Sequence, residues 1–171
     1  MLPITEVALL LDELSETNNY DEVVKRIQIP LSELSEYLFW NDQYYTRNCI
    51  VRNDAYELLL LCWEPEQFTP IHSHNNQECW IYMVQGELEE HQFQLDSQEI
   101  PNQVNAETLK KLNVYHTNDE IGFHRLSNTS MNRSISLHLY AKPIDECSYY
   151  SEESKSLKTK ILSYSNLKKT V

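Results

Sequence analysis

His72-Ser73-His74-Asn75-Asn76-Gln77-Glu78-Cys79-Trp80-Ile81-Tyr82-Met83-Val84-Gln85-Gly86 is the stretch from which the rest of the chain can be read. In extended backbone side chains alternate across the strand, so two histidines separated by one residue point to the same face. A second block, Gly122-Phe123-His124-Arg125-Leu126-Ser127-Asn128, supplies a third histidine from a distant segment. Neutral imidazole is the commonest protein metal ligand, and three of them leave coordination positions open. The chain's only glycines, Gly86 and Gly122, both fall inside these blocks. A single histidine is more often a satisfied core or surface side chain, and His91 and His116 are read that way. His72, His74 and His124 together are read as a metal site.

Around these blocks the texture is that of an antiparallel β protein: short runs rich in Val, Ile, Leu, Tyr and Trp, broken by Asn, Asp and Pro. The expected strands are 45–51, 57–63, 69–74, 79–85, 86–94, 108–114, 122–127 and 134–140, with a last pair at 147–150 and 159–164. Arg52-Asn53-Asp54-Ala55 and Asn75-Asn76-Gln77 read as turns. The first forty residues read as helical instead. Leu9, Leu10, Leu11 and Leu14 form a stripe after a cap at Thr5; Asn19 or Asp21 opens a second helix through Val23, Val24 and Ile27; Pro30 and Ser32 open a third carrying Leu31, Leu34, Leu38 and Trp40. The expected architecture is mainly β, an antiparallel β-barrel or jelly roll with N-terminal helices, in a single domain over 1–171. Within it, 1–41 form a helical cap, 44–150 the barrel and 151–171 a C-terminal hairpin segment.

Composition narrows the function. The 171 residues are 41% hydrophobic and include eleven tyrosines and three tryptophans, enough for a packed core. A net charge of −12 disfavours nucleic acid and leaves no polybasic membrane patch, so a small anionic substrate would need its own local cation. No positively charged leader precedes the short apolar run at Val7 to Leu11, and no apolar stretch is long enough to span a bilayer; the expected location is cytoplasmic and the expected state a monomer. Cys49, Cys62, Cys79 and Cys147 lie at irregular spacings, against a zinc knuckle or a secreted disulfide frame.

The pattern of His-x-His, four residues, a polar position, six residues and Gly, then a later His-x-x-x-Asn, resembles the two motifs of the cupin superfamily, with Cys79 at its carboxylate position. Glu78, one residue away, is a rival ligand. Cys79-Trp80-Ile81-Tyr82-Met83-Val84 is apolar on both faces, so alternation does not decide which of the two turns inward. The choice matters because an added carboxylate fills a position and cancels charge, whereas three neutral imidazoles leave the metal open to an incoming thiolate.

Beyond the histidines, the chain is similar to the cysteine dioxygenases. Tyr45-Thr46-Arg47-Asn48, Leu61-Cys62-Trp63, Ser136-Leu137-His138-Leu139-Tyr140 and Asp145-Glu146-Cys147 resemble that family's segments in order, from about Tyr44 to Cys147. The resemblance implies that His72, His74 and His124 ligate Fe(2+), that Arg47 binds the substrate carboxylate with help from Tyr45, and that His138 and Tyr140 pair near the metal through an imidazole–phenol hydrogen bond. It also implies a Cys79–Tyr140 thioether crosslink. The implied reaction takes L-cysteine and O2 to cysteine sulfinic acid. The chain departs from the animal-type pattern where Ala141-Lys142-Pro143 stand in place of Ser-Pro-Pro, and where the spacing from the third histidine to Tyr140 is one residue shorter. Both departures bear on how closely Tyr140 approaches Cys79 and Arg47.

Three other readings compete. A 3-mercaptopropionate or other small-thiol dioxygenase shares the fold, iron and reaction; Arg47 and Cys79 favour cysteine. A Glu78-assisted metal-dependent isomerase or decarboxylase requires Glu78 at the metal. A non-enzymatic ligand-binding cupin leaves Arg47, His138 and Tyr140 as coincidence.

Overall fold

The structure is a computed structural model and describes residues 1–118, 120 and 122–166. Its helical elements are α1 (Val7–Glu16), α2 (Tyr20–Val24) and a 3-10 turn over Leu31–Tyr37. Its strands are β1 (Thr46–Arg52), β2 (Glu57–Trp63), β3 (Cys79–Gln85), β4 (Glu87–Leu95), β5 (Pro101–Lys110), β6 (Val114–Thr117), β7 (Phe123–Ser127), β8 (Ser134–Tyr140), β9 (Glu146–Ser151) and β10 (Ser156–Ile161). Five of them form one antiparallel sheet in the order β1-β2-β8-β3-β6. Facing it lie the ladders β5-β4-β7 and β10-β9. The chain between β2 and β3 joins these two ladders, bridging Ser127 from Phe68 and both His124 and Tyr149 from His72.

Every residue of β2 and β8 is buried, as is all of β3 except its last. The helices are the cause. Leu10, Leu14, Tyr20, Val23 and Val24 pack on the outer face of the large sheet against Leu58, Leu60, Trp80, Tyr82, Leu137 and Leu139. Leu59, Leu61, Trp63, Ile81 and Met83 point the other way, into the barrel with Leu88, Leu109 and Leu126. A strand covered on both faces loses its polar alternation, which is why the run after Glu78 gave no sign of which face was inward.

Several expected boundaries move for local reasons. The strand expected at 69–74 is present as isolated bridges, because Pro70 has no N–H to donate to a ladder. The strand expected at 108–114 is cut by a turn in which Leu112 takes a positive φ of 67° and its N–H bonds Met83 O at 2.8 Å. Before that turn β5 extends back to Pro101, and of its ten residues only Leu109 is buried. Leu9 lies on the exposed side of α1, and Glu6 rather than Thr5 occupies the cap position. The turn at Asn53 forms as expected, its side-chain oxygen accepting the N–H groups of Ala55 and Tyr56 at 2.8 and 2.9 Å.

Both motif glycines are required by shape. At Gly86, φ is +69° and a Cβ would lie 2.3 Å from Ser134 Oγ; at Gly122, φ is +105° and a Cβ would lie 2.5 Å from Phe93 O. Each closes a corner that no side chain would fit.

Candidate metal centre and substrate cavity

His72, His74 and His124 converge inside the barrel, their ligand-capable nitrogens all within 4.8 Å of one another. The bridge between His72 and His124 is a pair of reciprocal backbone hydrogen bonds, both 2.9 Å, which fixes one ligand segment against the other. His74 and His124 are only 3% and 2% exposed.

The imidazole tautomers follow from what each ring touches. His72 Nδ1 is 3.0 Å from the carbonyl oxygen of Pro70, and His124 Nδ1 is 2.5 Å from Glu90 Oε1. A carbonyl or carboxylate only accepts, so both Nδ1 atoms carry the proton and both Nε2 atoms keep a lone pair. His124 Nε2 is buried and has no hydrogen-bond partner. A lone pair buried beside other imidazoles without a donor suits a cation, so the residues fit a bound metal ion. Burial, with the neighbouring His124, pushes the His72 pKa down to about 3 and that of His74 well below the ordinary value, so both rings are neutral and able to ligate at pH 7. Burial alone would push the Glu90 carboxyl up, but its hydrogen bonds to His124 and from Gln92 hold it below the usual range.

Glu78 is outside this cluster. Its carboxylate pairs with His116 and accepts from Asn118 Nδ2 at 3.2 Å, on the edge strand of the large sheet. His116 is a surface residue there, and His91 a surface residue beside Glu89. Cys79 is the residue that turns inward. Asn128 of the second motif does not reach the site: its amide donates to the carbonyls of Trp63, Glu64 and Asn132, stapling the ends of β2 and β7 to the following turn.

A row of directly opposed residues crosses the large sheet: Arg52, Glu57, Tyr140, Cys79 and Thr117. Opposed residues share a face, with Cβ atoms about 4.5–5.5 Å apart, so Tyr140 and Cys79 lie side by side. The altered residues after Tyr140 do not displace it, because Ala141 N continues the ladder to Glu78 O at 3.0 Å. Burial pushes the Cys79 thiol up, against a hydrogen bond from Tyr140, and pushes the Tyr140 phenol well up. Both groups keep their protons at neutral pH.

His138 is held differently from the expected imidazole–phenol pair. Its Nε2 is 2.8 Å from Ser136 Oγ, which accepts from Trp63 Nε1 at 3.0 Å. Its ring lies nearly parallel to that of Tyr140, 26° between planes and 6.3 Å between centroids. Burial, with the neighbouring His124 and Arg47, brings its pKa down to about 3.

One cavity is lined by all three histidines, His138, Tyr140, Tyr45 and Arg47. Its apolar wall comes from Leu61, Leu126, Ile144 and Leu162. Tyr45 stacks on Trp63, 4.6 Å between centroids. Arg47 is 9% exposed; its Nη2 donates to Glu57 Oε1 at 3.2 Å while Nη1 is buried without a partner. The guanidinium fork is therefore not wholly free for a bidentate contact. Glu57, Glu90 and the hydroxyl of Ser136 were missed as site residues. Only Glu90 left a readable trace, on the same strand face as buried Leu88.

The two facing sheets and the inward cluster of three imidazoles define a cupin. A double-stranded β-helix protein from Klebsiella pneumoniae shares this fold with a TM-score of 0.53 at 15% identity, over 74% of this chain and 92% of that one. The sequence narrows the class: the cysteine dioxygenase type I family matches residues 5–153. The human cysteine dioxygenase type 1 is 33% identical over 141 residues, 78% of this chain and 70% of that protein, and the Rattus norvegicus protein is 31% identical over the same length. The chain belongs to the cysteine dioxygenase type I family, and is an oxidoreductase of the thiol dioxygenase kind.

Proposed function

We propose that the protein oxidises L-cysteine with O2 to cysteine sulfinic acid, using Fe(2+) held by His72, His74 and His124. The carrying observation is that three histidines, their ligand-capable nitrogens within 4.8 Å of one another, share one cavity with a buried guanidinium nitrogen that has no partner. Three histidines without a carboxylate suit a divalent metal that must also accept an anionic thiolate. Ferrous iron, when bound there, supplies the electrons that activate dioxygen and the positive charge that favours the substrate thiolate. Both oxygen atoms end on sulfur, so thiol plus O2 balances as sulfinic acid.

The chain's own residues orient the substrate. Arg47 Nη1 takes the substrate carboxylate through a charge-assisted hydrogen bond, with Tyr45 beside it. The apolar wall keeps water from the sulfur. Tyr140 keeps its phenolic proton on the cavity wall, and Ser136 fixes the neutral ring of His138 next to it. The four cysteines are free thiols, which supports a reducing compartment such as the cytoplasm as its place of work, and we take the protein as a monomer. Among the described residues no helix is long and apolar enough to cross a membrane.

The test is oxygen uptake by iron-loaded protein with L-cysteine and, in parallel, with 3-mercaptopropionate, the product being identified by mass. Faster uptake with cysteine and a product carrying two added oxygens is expected. No uptake with either thiol, in protein shown to hold ferrous iron, would sink the reading.

The opposition of Cys79 and Tyr140 in the sheet also supports a thioether between them. Sulfur would bond to a ring carbon adjacent to the phenol, and dioxygen would take the two electrons and two protons released. Turnover with iron and cysteine is expected to produce a species lighter by the mass of two hydrogens, absent from Cys79→Ser and from Tyr140→Phe. Intact-protein mass spectrometry before and after turnover decides it.

A further inference from the structure

Glu57 is completely buried at the first position of β2, and everything around its carboxylate donates. Arg47 Nη2 reaches Oε1 at 3.2 Å, Ile144 N reaches Oε2 at 3.2 Å and Arg52 Nη1 lies 3.6 Å from Oε2. The Tyr164 hydroxyl accepts from Arg52 Nη1 at 2.8 Å and hydrogen-bonds Glu57 in turn. Arg52 is tied on its far side to Asp145 at 2.7 Å, and the Tyr164 ring lies 5.9 Å from the Arg47 guanidinium carbon. Burial pushes the Glu57 carboxyl up, against the pull of Arg47, Tyr164, Ile144 and Arg52; a shell of donors is satisfied by an acceptor with no donor of its own, so Glu57 is held there as a carboxylate between two guanidinium groups.

We propose that Glu57 is a positioning residue for substrate recognition: by holding Nη2 of Arg47 it leaves Nη1 as one preset arm for the carboxylate of the thiol substrate. The proposal rests on the reading that Arg47 binds that carboxylate. Arginine is a long side chain, and freedom it loses on folding is not lost again on binding. The Arg47 main chain is fixed as well, its N–H donating to Ser165 Oγ at 3.1 Å and its carbonyl accepting from Ser165 N at 2.7 Å. Glu57 withdraws some of the positive charge that Arg47 offers, but it gives the remaining arm a single direction. Because Glu57 also opposes Tyr140 across the sheet, the arm's anchor and the catalytic phenol share one rigid row.

The experiment is anaerobic titration calorimetry of the ferrous protein with L-cysteine and with cysteamine, which lacks the carboxylate. Wild type is expected to prefer cysteine. Glu57→Ala and Glu57→Gln are expected to weaken cysteine binding by about tenfold or more while cysteamine stays within about twofold. Glutamine fails because its amide would set an N–H against a donor. Glu57→Asp, which keeps the charge, recovers part of the preference. The ratio of the two affinities is taken on one preparation of each variant, so loss of folded protein cancels. Equal weakening of both thiols, or tighter cysteine binding in Glu57→Ala, would overturn the proposal. A wild type that does not prefer cysteine, with Arg47→Ala no different, would remove Arg47 as the carboxylate partner and the proposal with it.

Discussion

His124→Ala is expected to abolish both iron retention and oxygen uptake, and Glu90→Gln to weaken iron binding by roughly 10–100-fold while leaving the fold intact. The two substitutions separate ligand from support. His124 joins the cluster through Nε2, and Glu90 acts through Nδ1 at 2.5 Å by fixing the tautomer and orientation of the same ring. A glutamine at 90 can still accept from Nδ1–H through its amide oxygen, but without the negative charge that makes the imidazole a better donor to metal. Iron content after dialysis against a graded chelator, with the melting temperature measured alongside, checks both. Full iron retention by His124→Ala would remove the three-histidine site.

The difference between these two residues also shows what a sequence can reveal. The three histidines were legible because their spacing is a geometric statement: one-residue separation on extended backbone fixes a common face, and the flanking glycines mark corners. The central strands were legible for a related reason, and β2, β3 and β8 occupy the residues expected for them. Their inward direction was not, because the helices bury the outer face as thoroughly as the barrel buries the inner one. The greater part of β5 left no apolar signal, since a strand held by backbone pairing with almost every side chain in solvent has no hydrophobic period. Glu57 was hidden by composition. A glutamate at the head of Leu58 to Trp63 reads as the wet end of a strand, and only the arrival of Arg47 and Arg52 from β1 and of Ile144 from the chain after β8 makes that position dry. Ser136 was quoted within a motif, yet its task depends on Trp63 of the neighbouring strand.

Arg47→Ala should have two consequences that a second substitution can pull apart. Removing one partner of a buried ion pair leaves the other charge uncompensated, at a cost of about 3–5 kcal/mol. Here Glu57, with no exposure, keeps as its cation among the described residues only the more distant Arg52. Losing a desolvated, charge-assisted contact to substrate costs about 2–5 kcal/mol, or ~30- to several-thousand-fold in kcat/KM for cysteine. The two losses have different cures. In Arg47→Met with Glu57→Gln the orphaned carboxylate is gone and an apolar chain fills the space of the arginine stem, so stability should return most of the way. Activity toward cysteine should not, because neither new side chain can donate to a carboxylate. Urea denaturation and steady-state kinetics on the wild type, the single Arg47 variant and the double variant check this. If the double variant regained both stability and cysteine turnover, Arg47 would be a structural counter-ion to Glu57 and the substrate carboxylate would have to find its cation elsewhere on the cavity wall.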